Sequence, residues 1–375
     1  MIVKIKNNGK ENIENNTIKL FIDGQQKALR SFSIDGNSST EVNINYTHSG
    51  KGIKNAYLEI IDNPITYDDR LYFSYSLTDK YNLLIVNGKK STSYLHSLFE
   101  KDSIVNLYEK DENNLDYSEL KNNQLIIINE IEKISSGLSI ELKKYLENGG
   151  HLMIIPSLKS DITSYHTFLS EVGSDPIVNK DSAKQKVNYI NYQHPFFQGV
   201  FDASIKKAIN TDLPDVFSHF TIKGTRNSKS ELLMQLQNGD PFLFSNRNNK
   251  GRIYILSVSL QNESGNFAKH ALFVPVMYQM VFQSQQTGNL YQIIGKENYL
   301  QINTNSNDDN TLKLSKTDSK YELIPEIKNS DGKSMVYFNN EITSDGNFLL
   351  SKNNSPLTGV SFNYNRSESD LTYFD

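Results

Sequence analysis

Apolar and polar positions follow two different rhythms along this chain, and the rhythm changes twice. Over residues 1–77 short runs, such as 17–22 and 41–46, alternate apolar and polar side chains, as strands with one buried face do. Turn signals separate them at Asn7-Asn8-Gly9, Asp23-Gly24, Asp35-Gly36-Asn37 and Ser49-Gly50. Regular spacing of this kind predicts a small β-sandwich. At Tyr81 the alternation stops. Leu83-Leu84-Ile85-Val86 is continuously apolar, the mark of a strand covered on both faces. A helix over 91–100 with Ser91 as its N-cap is predicted next, then a strand over 104–108. The apolar run 125–128, an amphipathic helix over 139–147 and the run 152–155 continue the series. Gly149-Gly150 ends that helix, since glycine accepts the left-handed conformation. Strand and helix in this order predict right-handed βαβ units and an open, largely parallel sheet.

Further along, a helix is predicted over 162–172, then an irregular stretch holding His194-Pro195-Phe196-Phe197. Strands over 231–236, 241–244 and 251–256 come before an apolar helix over 267–283, which Pro275 should kink. From Leu290 the β pattern returns, with turns at Asp331-Gly332 and Asp345-Gly346 and a mobile polar loop at 303–310. The fold class is therefore α/β: a mostly parallel central domain over 78–289, flanked by an N-terminal β-sandwich over 1–77 and a C-terminal β-rich domain over 290–375.

A length of 375 residues suits two or three domains. With 39 basic and 43 acidic residues, a net charge of -4 and no long single-sign block, the chain lacks the basic face of a nucleic-acid binder. It contains no cysteine, which excludes disulfides, thiolate metal sites and cysteine nucleophiles. The longest apolar stretch, 271–282, falls short of the ~20 residues a membrane helix requires. Strand-like alternation in the first six residues, where termini usually fray, predicts a piece of a longer protein.

Several short segments, in this order, carry a resemblance: Leu146-Glu147-Asn148-Gly149-Gly150-His151-Leu152, His194-Pro195-Phe196, Gly239-Asp240-Pro241-Phe242, Gly251-Arg252-Ile253-Tyr254, His270-Ala271-Leu272-Phe273-Val274-Pro275, and the stretch from Phe362 to Asp370. Together they make the chain resemble the soluble part of bacterial aerotolerance-type (BatA-domain) membrane proteins. In that family a membrane segment and a von Willebrand-A-like region precede a β-sandwich, a class I glutamine-amidotransferase-like domain of flavodoxin-like form, and a C-terminal β region. The N-terminal segment also resembles bacterial adhesion-related immunoglobulin-like domains. The resemblance implies a membrane-anchored envelope protein whose soluble part is extracytoplasmic and meets protein partners, with the membrane reached only through flanking segments.

Candidate chemistry is sparse. Class I amidotransferases place a cysteine after a central strand, and after the run 152–155 this chain has Pro156-Ser157. Ser157 could replace the cysteine, yet a nucleophile elbow needs small neighbours and Ser157 has Pro156 and Leu158. His194 could act as a base or a ligand near pH 7; tying a loop to the sheet is the simpler role. His270 on the apolar helix and His151 at a strand start read as packing residues. No histidine pair has helical zinc spacing, and Asp308 and Asp309 lack the glycine and distal glutamate of a calcium loop. Asn87-Gly88-Lys89-Lys90-Ser91 lacks the first glycine of a phosphate loop. Hence no cofactor and no metal are expected. Two mixed-charge clusters, Asp68-Asp69-Arg70 and Arg366 with Glu368 and Asp370, are surface ion pairs or contacts to another domain or a partner. The expected role is a non-catalytic scaffold; the alternative is a hydrolase or sugar-processing enzyme using Ser157 or His194.

Overall fold

A computed structural model describes residues 1–47, 50–61, 69–77, 79–197, 212–224, 229–248, 251–285, 289–296, 299–302, 312–330, 333–338 and 341–366. The polar loop 303–310, the turn Asp331-Gly332, Asp68, Glu368 and Asp370 lie outside these residues. The chain divides into two compact units, Met1–Asp79 with Thr287–Asp375, and Lys80–Gln286. The pattern switches at Leu77 and Leu290 thus fall close to the unit boundaries, and the two terminal β regions belong to one unit.

That terminal unit starts with β1 (Ile2–Lys6), β2 (Ile13–Ile22), β3 (Gln25–Ile34), β4 (Ser39–Asn43), β5 (Gly52–Ile60) and β6 (Arg70–Leu77). These form a four-stranded sheet, β3-β2-β5-β6, and the antiparallel pair β1-β4. Alternation in β2 and β5 turns Ile18, Leu20, Ile22, Ala56 and Leu58 into one core with Phe32, Ile34, Val42 and Phe73.

The second unit contains β7 (Tyr81–Asn87), β8 (Val105–Asp111), β9 (Leu125–Asn129), β10 (His151–Ile155), β11 (Ile177–Asp181), β12 (Gln185–Ile190), β13 (Asp215–Val216), β14 (His219–Ile222), β15 (Glu231–Leu236), β16 (Pro241–Asn248) and β17 (Gly251–Leu256). Among the described residues its α-helices are α1 (Tyr94–Phe99), α2 (Ser136–Glu147), α3 (Ile162–Glu171) and α4 (Phe273–Gln283). Nine strands form one mixed sheet in the order β13-β12-β15-β16-β17-β10-β9-β7-β8. The run β8-β7-β9-β10-β17 is parallel, and the strands from β17 outward to β13 pair antiparallel. The sheet is therefore mixed rather than largely parallel. Its antiparallel half includes β12 (QKVNYI) and the two-residue β13, both in a stretch for which no strand is predicted above.

Continuous apolar runs cover both faces, as expected. Leu83, Ile85, Leu125, Ile127, Met153 and Tyr254 pack with α1 and α4. Leu84, Val86, Ile126, Ile128, Leu152 and Ile253 pack with α2 and α3. Helix starts correct the sequence expectations. Ser93, not Ser91, precedes α1, and Ser135 caps α2 by accepting from the Leu138 amide. The segment 267–283 breaks into a short 3-10 turn, Phe267–Lys269, and α4. Pro275 thus falls in the first turn of α4, where its missing N–H costs nothing, and it does not kink a helix interior.

The terminal unit resumes with β18 (Gln292–Ile293), β19 (Tyr299–Ile302), β20 (Leu312–Lys316), β21 (Glu322–Leu323), β22 (Glu326–Ser330), β23 (Lys333–Tyr337), β24 (Gly346–Lys352) and β25 (Ser355–Asn363). They make sheets β18-β25-β24-β20-β21 and β19-β23-β22 around Leu314, Val336, Phe338, Phe348 and Phe362. This half binds β6 through a side chain that imitates a strand. The Asn363 amide donates to the Tyr72 carbonyl at 2.8 Å and accepts from the Tyr72 N–H at 2.7 Å. Asn347 Nδ2 donates to the Ala56 carbonyl at 3.3 Å, and Arg366 donates to the Arg70 carbonyl at 2.9 Å. At Gly359 an added Cβ would lie 2.7 Å from the Ser74 Cβ, so the two halves meet too closely for a larger residue. Replacing Asn363 with alanine strands both backbone groups of Tyr72. The expected loss is about 2–6 kcal/mol at ~1–3 per orphaned group, read by urea denaturation; a loss below ~0.5 kcal/mol would show that water replaces the amide freely.

Candidate functional site

In open α/β sheets ligands bind beyond the C-terminal ends of the parallel strands, where the strand order reverses. Here that point lies between β7 and β9, the first and third parallel strands in chain order. The residue leaving β9 is Glu130. Its φ is 56°, and every other described non-glycine residue with positive φ is Asn or Asp. A glutamate gains no local hydrogen bond from that conformation and carries a Cβ penalty. Glu130 also has 1% exposure.

Three donors from two segments converge on its carboxylate. Oε2 accepts from the Thr92 N–H at 2.8 Å. Oε1 accepts from the Leu260 N–H at 3.0 Å and from the Ser259 hydroxyl. Its own N–H donates to the Ile155 carbonyl at 2.9 Å, tying the bend to the end of β10. On the β7 side, Gly88 passes so close that an added Cβ would lie 2.1 Å from the Glu130 carbonyl oxygen. The requirement there is space, not a glycine conformation. Further bonds lash the rim: Gln261 Nε2 to the Lys90 carbonyl at 3.1 Å, and Tyr94 to Asn262 at 3.2 Å. Beside them the Asn129 Nδ2 donates to Asn87 Oδ1 at 2.7 Å. A buried carboxylate fills the bend, and both of its oxygens already accept hydrogen bonds. His96, on α1, lies between Glu109 and Glu100; the Glu109 hydrogen bond and charge raise its pKa.

Ser157 lies beyond the C-terminal end of β10, buried, with its Oγ accepting from the Lys159 N–H at 3.2 Å. This is a turn-closing serine, two residues past the strand, and its backbone φ is not among the positive ones. His194 sits elsewhere. Its Nε2 is 3.1 Å from Glu231 Oε2, and its Nδ1 accepts from the Phe196 N–H at 3.1 Å. The same Glu231 oxygen accepts from Arg252 Nη1, which also donates to Ser245 Oγ at 2.8 Å. Arg252 is paired in register with His151, the first residue of β10. The His194 cluster therefore marks the N-terminal edge of the parallel strands and Ser157 the C-terminal edge. At ~3.3 Å per residue, a five-residue strand puts about 17 Å between those edges. A serine–histidine dyad needs hydrogen-bond reach, about 3 Å.

His270 is not on α4 but in the turn before it. Its Nδ1 accepts from the Leu272 N–H at 3.1 Å, and its buried Nε2 has no hydrogen-bond partner among the described residues. Asp212 Oδ2 stands 3.8 Å away. A further histidine, His219, is fully buried, with Nε2 2.7 Å from Asp240 Oδ2. Among the described residues no group of three or more His, Asp or Glu side chains could hold a metal ion, and no helix is long and apolar enough to cross a membrane.

Burial, aided by the Arg252 charge, lowers the His151 pKa to about 4 from an ordinary 6.5. The folded chain therefore keeps this ring neutral where the unfolded chain protonates it. Its contribution to stability is complete above pH 6.5, falls as pH drops from 6.5 toward 4, and is constant below. The largest total loss is about 3 kcal/mol at ~1.4 kcal/mol per pKa unit. Glu231 acts in a lower window. Burial works against its ionisation, and the Arg252 hydrogen bond and charge outweigh this, so its pKa lies below the ordinary carboxylate value. Its contribution is present above about pH 4.5 and is lost as pH falls through the depressed value. Denaturant midpoints from pH 8 to 4.5 should fall for the parent chain, with a shallower slope in His151→Gln; equal slopes would remove His151 as the cause.

No family model matches the chain, and no curated protein matches it. Among solved structures, a cytoplasmic protein from Salmonella typhimurium is similar at 15% identity, with 54% of this chain and 98% of that chain covered and a TM-score of 0.42. A ThuA-like protein from Bacteroides uniformis is similar at 14% identity, covering 56% of this chain and 93% of that one, with a TM-score of 0.41. A β-galactosidase from G. stearothermophilus is similar at 13% identity over 70% of this chain and 40% of that chain, with a TM-score of 0.37. Likeness at this level defines no family.

Proposed function

We propose that the chain is a non-catalytic scaffold or interaction region of a membrane-anchored bacterial envelope protein. In this reading the mixed-sheet unit is an amidotransferase-like domain of flavodoxin-like form that keeps the framework and has lost the chemistry, and the terminal β regions are an immunoglobulin-like sandwich and its partner. The observation that carries the reading is the Glu130 carboxylate. It fills the strained bend at the switch point with both oxygens accepting hydrogen bonds, so the usual reaction position is occupied by a structural tie. The spatial strand order β8-β7-β9-β10-β17, which is 2-1-3-4-5 in chain order, supports the flavodoxin-like assignment.

A hydrolase or sugar-processing enzyme would need Ser157 or His194 beside a base and an oxyanion site, and the two stand at opposite strand ends. Membrane anchoring and the extracytoplasmic side rest on the ordered segments from Leu146 to Asp370. Fractionating cells that express the complete reading frame tests this half of the proposal. The expected result is a protein that stays with carbonate-washed membranes and whose soluble part is cut by protease added outside the membrane. Recovery in the soluble fraction would contradict it.

A further inference from the structure

The terminal β unit has a solvent-open cleft of about 180 Å3 whose lining includes Ile22, Asp23, Lys27, Thr47, Lys54 and Tyr75. Strand alternation explains its polarity. In β5, Lys54 shares a face with Ala56 and Leu58, both buried in the sandwich core. An ammonium on that face must be paired. Lys54 Nζ lies 2.9 Å from Asp23 Oδ2, and only 13% of its side chain is exposed. Asp23 is fixed at a φ of 50°, with Oδ1 accepting from the Asn55 N–H at 3.1 Å. This pair accounts for one ammonium. The second, Lys27, is solvent-exposed at the mouth; it donates to the neutral amide oxygen of Gln25 at 2.8 Å and meets no carboxylate at salt-bridge distance among the described residues.

The lining thus sets two ammonium groups against one carboxylate. It adds the Thr47 hydroxyl and the Tyr75 phenol, which burial, followed by its hydrogen bond to Tyr46, keeps protonated. Ile22 and the Tyr75 ring supply apolar wall.

We propose that this cleft binds a small organic carboxylate, its COO⁻ between Lys27 and Lys54 and its remaining atoms against Ile22 and Tyr75. The volume is well above the ~10–15 Å3 one water needs and below the ~300–1,000 Å3 of drug-sized sites, which fits a short acid or a single sugar acid. This inference does not depend on the reading of the mixed-sheet unit.

The test is an NMR titration of the full chain at constant ionic strength with acetate, D-glucuronate, D-glucose and inorganic phosphate. The expected result is saturable shifts at Asp23, Lys54 and Tyr75 with at least one carboxylate, and none with glucose. Lys27→Met should weaken that binding at least tenfold with unchanged melting, and Lys54→Met should do the same if it folds; if it does not, Lys27→Met decides. No saturable shift with either carboxylate, glucose binding as well as glucuronate, phosphate alone binding, or full affinity in Lys27→Met would each overturn the proposal.

Discussion

Replacing Glu130 with alanine will destabilise the mixed-sheet unit by about 3 kcal/mol or more. Three donors lose their acceptor at once: the N–H groups of Thr92 and Leu260 and the Ser259 hydroxyl. Each stranded donor costs ~1–3 kcal/mol. At 2–4 °C per kcal/mol for a unit of this size, the melting temperature should fall by about 6–12 °C. Glu130→Gly separates two effects, because it removes the same acceptor and also the Cβ that strains a φ of 56°. It should be more stable than the alanine variant by about 1 kcal/mol. Equal stability of the two would mean that the bend relaxes once the carboxylate is gone. A parent-like melting temperature for Glu130→Ala would show that the carboxylate ties nothing together.

Gly88→Ala attacks the same junction from β7. Its new methyl would lie 2.1 Å from the Glu130 carbonyl oxygen and 2.9 Å from the Ile131 Cα, both backbone atoms that cannot rotate away. One strand end must move, at about 3 kcal/mol for overpacking of this kind. Combined with Glu130→Ala the two losses should not add, since once Glu130 is released its bend can yield to the methyl. Full additivity, measured by chemical denaturation of the four variants in the cycle, would place the two residues in independent environments.

The parallel half of the sheet was legible because its strands are buried on both faces. Runs such as 83–86, 125–128 and 152–155 have no polar position to confuse the reading, and Gly149, at a φ of 93°, marks the end of α2. Pairing direction has no such local mark. Strand β12 carries Gln185, Lys186 and Asn188 among its six residues, and only its neighbours reveal that it extends the sheet antiparallel. The joining of the terminal β regions depends on Tyr72 and Asn363, 291 residues apart, a separation no window on the sequence spans.

The site divides in the same way. Ser157 and His194 were visible as residue types, while their placement at opposite strand ends follows from register. Glu130 was open to notice as the acid that interrupts the apolar positions Ile126-Ile127-Ile128 and Ile131. Its conformation was not, because nothing in the residue type favours positive φ; the packing of Gly88 and Ile155 around the bend imposes it.

Turnover decides the central claim. The purified chain is assayed for glutaminase and generic esterase activity beside Ser157→Ala and His194→Ala, with melting curves for all three. An acyl-transfer site needs an activated nucleophile, a base within about 3 Å and donors aimed at the oxyanion. With Ser157 closing a turn, His194 bound to Glu231 and the switch-point donors occupied by Glu130, the predicted result is no turnover above the blank in any of them. Turnover in the parent chain that disappears in either variant, while that variant melts as the parent does, would contradict the account.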